Sequence, residues 1–228
     1  MENCKNVPKT AEQRKKKTEK LLKSLDIPYL EHLPPIEEES EVKIRTAQEI
    51  AERILILTYL SYLGFASREG IAGDEREKIV NFIKTNLLWD KVSPEEKELY
   101  QKEQLTQQEI LNMTWRLEAI WLLLWTINKV DKLELPTRQV EPPEIMSKMP
   151  KLFDNPKEFI ETAIIRPTTE ILYISDLTYR LHWAATDAEL NNQPMPANLD
   201  SGIIYERHYA INWVTYYAEE WDEVTTDT

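Results

Sequence analysis

Glycine is scarce in this chain, with Gly64, Gly70, Gly73 and Gly202 the only four in 228 residues, against a usual share of about 7%. No two of them stand at a G-x-G or phosphate-loop spacing, which disfavours glycine-cradled phosphate chemistry. Cysteine is scarcer still. The single Cys4 excludes an internal disulfide framework and any cysteine-based zinc site. The polar, basic N-terminus offers no apolar stretch that could act as a signal-peptide core. The longest apolar run, Ile54 to Ala66, is interrupted by Thr58, Tyr59, Ser61 and Tyr62. It is too short to cross a bilayer and reads as a buried helix. A soluble, cytoplasmic protein is expected. Bases are outnumbered, 28 against 40 acids for a net charge of -12, which argues against nucleic acid or an anionic membrane as a general target.

What is present fits an ordinary globular domain: 42% hydrophobic and 30% charged residues, at a length able to bury a core without staples. The charge is uneven. Residues 1–23 hold eight bases and three acids, whereas the stretch from Glu219 carries Glu219, Glu220, Asp222, Glu223 and Asp227 with no base. Such a basic arm can be a solvated helix face, fold back on its own protein, or bind an acidic partner. Three units are expected: a basic arm and proline-rich linker over 1–45, an all-α domain over 46–217, and an acidic docking tail over 218–228. Trp221, amid the acids, is expected to dock on this domain or on a partner.

Prolines and helical periodicity mark the elements. Apolar spacing predicts helices over about 11–25, 46–65, 74–86, 106–130, 167–190 and 201–217, with a short one after Asn155. Ser93-Pro94-Glu95-Glu96 is a cap, a first-turn proline and two acids, which opens another helix to about Lys102. Pro142 and Pro143 fall where no helical period is visible. No stretch alternates as a strand does. The fold expected is therefore all-α, a single multi-helix bundle with a central buried Trp-rich helix.

That central helix carries an acid. In Trp115 to Ile127 nearly every side is apolar, as in a helix surrounded by others, and Glu118 shares a stripe with Trp115, Leu122 and Trp125. A carboxylate there is costly unless it is paired, protonated or facing a wet pocket. Arg166, Arg180 and Arg207 sit beside apolar residues and are available as partners. Asp176 and Arg180, four apart, share a helix face. In the last helix Ile203, Arg207, Ile211 and Val214 form one stripe, and Tyr205, His208, Asn212 and Tyr216 a second, aromatic-rich one. Glu118, Glu170, Asp176, Glu206, Arg166, Arg180, Arg207, His182 and His208 could satisfy one another completely or line a pocket. Should the protein be an enzyme, Glu118 or Asp176 would be the base, His182 or His208 the acid–base partner, and Arg180 or Arg207 an anion clamp, with Glu206 the remaining candidate.

Sharper chemistries find no motif. Glu-x-x-His is absent, and Glu206 and His208, two apart, point to different sides of a helix. His-Glu-x-x-His is also absent. Ser175 and Ser201 lack a nucleophile elbow. Neither a metal nor a cofactor is expected.

One resemblance covers nearly the whole chain. Arg45-Thr46 with Glu49-Ile50-Ala51 and Arg53, Ser93-Pro94-Glu95-Glu96, and Trp115-Arg116 with Glu118-Ala119, Trp121 and Leu124-Trp125 carry its first half. Arg166-Pro167, Glu170-Ile171-Leu172, Asp176-Leu177, Tyr179-Arg180, His182-Trp183-Ala184, Glu206-Arg207-His208, Asn212-Trp213 and Trp221-Asp222 carry the rest. On these residues the chain resembles the bacterial family called domain of unknown function 4272. The resemblance implies a single full-length domain and brings no activity, substrate or catalytic residue with it. Two functions stay open: a protein-binding module, adaptor-like or immunity-like, whose acidic body suits a basic protein partner, or a hydrolase or lyase with a carboxylate/His/Arg pocket between the last three long helices.

Overall fold

The computed structural model describes residues 10–228; Cys4 and the first bases of the arm, Lys5 and Lys9, lie outside the described residues. In chain order the helices are α1 (Ala11–Ser24), α2 (Ala47–Arg68), α3 (Ala72–Thr85), α4 (Pro94–Gln101), α5 (Gln107–Trp115), α6 (Leu117–Thr126), α7 (Pro142–Met146), α8 (Lys157–Glu161), α9 (Thr168–Leu190) and α10 (Ser201–Val214). No strand occurs among the described residues, and the protein is all-α.

Helix starts follow local chemistry. Thr10, Thr46, Ser93 and Thr106 each cap a helix, with Gln13, Glu49, Glu96 and Glu109 reaching back to the cap amide. Each such box satisfies two amide donors that the helix itself leaves unpaired. Asp200 caps α10 by accepting from the Ile203 amide.

Two expected elements differ. The predicted helix over 106–130 breaks at Arg116 into α5 and α6. The Ser61 hydroxyl donates to the Met113 carbonyl at 2.8 Å, the acceptor that the Leu117 amide would need to carry the helix through. A side chain entering the ladder in this way is a recognised cause of a bend. Pro142 and Pro143, read as loop, instead occupy the first turn of α7, where the Glu144 carboxylate takes the Glu141 amide at 2.9 Å and a missing N–H costs nothing.

α6 lies at the centre, with α2 and α10 against it; α9 covers α10, and α1 lies on the outer side of α9. Every α6 residue except Trp121 is buried. α2 is long and apolar enough to span a membrane by composition, but 78% of its apolar window is buried inside the protein. It is a core helix. A second, smaller core of Leu22, Ile27, Leu181, Ala184, Ala185, Leu199 and Ile204 fastens α1 to α9. The acidic tail is also seated: Trp221 is 2% exposed, packs 4.9 Å from the Tyr209 ring and 5.6 Å from Trp213, and lies under the Arg53 guanidinium.

α2 and α5 approach closely at Gly64, where an added Cβ would stand 2.9 Å from the Met113 Cβ. Gly64→Ala should therefore lower the melting temperature, because overpacking of about 1–3 kcal/mol outweighs the gain in helix propensity of about 1 kcal/mol. Gly73→Ala, with open space around it, should leave the melting temperature unchanged or raise it. Thermal denaturation of the pair reads both. Equal shifts would show that no close helix approach exists at Gly64.

Candidate functional site

The candidate residues fall into closed pairs. Glu118 on α6 is 0% exposed. One of its oxygens takes Nε and Nη2 of Arg207 on α10 at 3.1 and 3.0 Å; the other takes the Val140 amide at 2.6 Å. Burial pushes the Glu118 carboxyl up from the usual range, while Arg207 and the Val140 N–H pull it back. Arg207 spends its remaining nitrogen on the Glu134 carbonyl at 2.7 Å. Of the three arginines expected as partners, Arg207 is the one that reaches Glu118.

Asp176 and Arg180, both 0% exposed, pair through two 3.0 Å contacts. The arm completes this knot. Thr18 of α1 donates to Asp176, Arg180 donates to the Pro34 carbonyl at 3.2 Å, and the fully buried Arg14 donates to the Glu37 carbonyl. Arg14 and Thr18, one turn apart, thus turn a basic-looking helix inward. Neither was singled out from the sequence, because a charge-rich arm gives no sign of which face is covered.

Glu206 meets a partner outside the expected set. Arg116, at the break between α5 and α6, approaches both its oxygens at 3.2 and 3.1 Å and lies over the Tyr209 ring. Burial raises the Glu206 carboxyl, partly offset by that guanidinium. Arg53 and Glu96 make a further buried pair, at 2.7 Å. Arg166 donates to the carbonyls of Trp125 and Val130 at 2.6 Å each and pairs with Glu170 at 3.3 Å.

The two histidines face each other across α9 and α10, Nδ1 to Nδ1 at 2.7 Å. Such a contact holds one hydrogen, so one ring donates and the other accepts. Burial lowers both, and His182 adds to the effect on His208, which falls to about 3. Both are neutral at physiological pH. Their outer sides open on different clefts: His182 lines one of about 490 Å³ beside Trp115, Glu189 and Tyr205, and His208 lines one of about 520 Å³ beside Ser175, Tyr179 and Asn212. Glu118, Asp176 and Arg180 line neither.

An apolar groove of about 460 Å³ runs between α1, α9 and residues 131–136. Among the described residues no group of three or more His, Cys, Asp or Glu is placed to hold a metal ion.

The site is thus an all-α core laced with buried arginine–carboxylate pairs, with one histidine pair joining two clefts. The chain belongs to the family described as domain of unknown function (DUF4272), whose model matches residues 14–224, from the buried Arg14 to Val224 beyond the docked Trp221. Searches of curated proteins and of solved structures found no match.

Proposed function

We propose that this is a cytoplasmic bacterial protein-recognition module, adaptor-like or immunity-like, whose acidic body engages a basic protein partner; nucleic acid and membranes are not its targets. The observation that carries the reading is the closure of Glu118. Its oxygens are occupied by Arg207 and the Val140 amide, and it has no exposed surface. A carboxylate so placed is a fold-specifying element and cannot meet a substrate. Asp176 is closed in the same way. The hydrolase or lyase reading would have to run without either carboxylate, on His208 or on His182 in the cleft it shares with Glu206 and Arg116.

The net charge of -12 supports a basic partner through long-range attraction, which speeds encounter and rejects acidic competitors. The test is affinity capture on the immobilised full chain from its own cell extract, followed by elution with salt. A single basic protein retained in stoichiometric amount is expected. Nothing retained above the bead control would overturn the reading.

A further inference from the structure

The 520 Å³ cavity brings together polar side chains that the arginine–carboxylate pairs do not use. Ser175 is 7% exposed and lines the cavity, and no side-chain hydrogen bond ties it to another described residue. Its hydroxyl is therefore open to whatever occupies the cavity. Tyr179 lines the cavity beside it. His208, 3% exposed, spends Nδ1 on His182 and leaves Nε2 for the cavity it lines. The walls come from four places, the 34–43 linker, α9, α10 and the tail, so the arrangement exists only in the folded chain.

The chemistry of the walls is one-sided. Glu37, Glu41 and Asp227 line the cavity against the single cation Lys43, which already lies over the Tyr216 ring at 3.9 Å. Tyr179 and Tyr217 add aromatic surface, on which a cation is attracted by the ring face. Glu189 lies in the opposite cleft with His182 and Asp227 in this one with His208, so each ring has a carboxylate on its outer side, and the hydrogen of the Nδ1 contact can sit on either ring. Hydroxyl oxygens, aromatic faces and excess carboxylate are what a cationic hydrogen-bond donor needs.

We infer that this cavity is the socket for a lysine or arginine side chain carried by a basic partner protein. The inference rests on the recognition reading above and assigns it a place and a chemistry. The occupant is a side chain on a protein because the excess of negative charge at the socket matches that of the whole body, so attraction at a distance and seating act on the same partner.

The test is fluorescence anisotropy on the full chain with a capped, labelled Gly-Arg-Gly-Arg-Gly peptide, and the same peptide with citrulline in place of arginine. Salt is held at about 0.15 M, where charges more than about 8 Å apart are screened. The citrulline peptide should bind at least about tenfold more weakly, or about 1.4 kcal/mol. Glu37→Gln/Glu41→Gln/Asp227→Asn should weaken the arginine peptide by a similar factor, while Glu98→Gln/Glu103→Gln/Glu158→Gln, with the same loss of charge elsewhere, should not. Equal binding of the two peptides, absence of binding, or equal effects of the two triple variants would overturn the socket. A partner captured from extract equally well by wild type and the cavity variant would remove the socket alone. Failure of capture would remove the recognition reading itself.

Discussion

Arg207→Ala is expected to destabilise the protein by about 3–5 kcal/mol, the usual cost of removing one member of a buried ion pair. Glu118 would keep only the Val140 amide, inside a helix buried at every residue but Trp121. The carbonyl of Glu134 would lose its donor as well. Because the pair's own desolvation cost is large, Glu118→Leu/Arg207→Met should recover most of the loss, and Glu118→Gln, which still accepts a hydrogen bond, should cost less than Arg207→Ala. Chemical denaturation of the three variants reads these differences directly. The result also separates the two functional readings, since removing a strained active-site charge often stabilises a protein. Arg207→Ala at or above wild-type stability would mean that the pair is held for chemistry rather than for folding.

How much of this was legible beforehand depends on what each feature needs. The helices follow from period and caps, which are local, and Ser93-Pro94-Glu95-Glu96 starts α4 as read. Asp176 and Arg180 pair because a helix brings positions four apart together, so that contact was readable too. Glu118 was marked by the cost of an ion on an apolar stripe, but choosing Arg207 over Arg166 or Arg180 requires knowing that α10 lies against α6. Glu206 and Arg116, ninety positions apart, carry no local sign of each other, and Arg116 sits at a break between α5 and α6 that the apolar pattern does not mark. The stripe of His208 and Asn212 was visible on α10, whereas Tyr216, expected to continue it, lies past the helix end at Val214 with a φ of 55°; the stripe's role as a cavity wall was not visible, because the facing linker and tail are irregular chain.

The histidine pair makes the second large prediction, a loss of stability in mild acid. An unfolded histidine titrates near 6.5, whereas burial and the neighbouring His182 hold folded His208 down at about 3. Between those values the unfolded chain binds the extra proton, so stability is complete above pH 6.5 and falls as the pH drops toward 3. A second proton would also set two N–H donors against each other at 2.7 Å. From pH 7 to pH 5 this one group is worth about 2 kcal/mol by linkage. Groups around the pair move the other way or not at all in that window. Asp227 and Glu189 favour the charged forms weakly, and the raised carboxyls of Glu118 and Glu206 take up protons more readily in the folded state. Comparing wild type with His208→Gln cancels those carboxyls. The variant should be less stable at pH 7, where a buried hydrogen bond is lost, but its stability should fall by about 2 kcal/mol less between pH 7 and 5. Urea denaturation at the two pH values decides it: parallel losses in both proteins would mean that the pair stays neutral in the unfolded chain or is already charged in the folded one, and the buried, single-hydrogen contact across α9 and α10 would have to be abandoned.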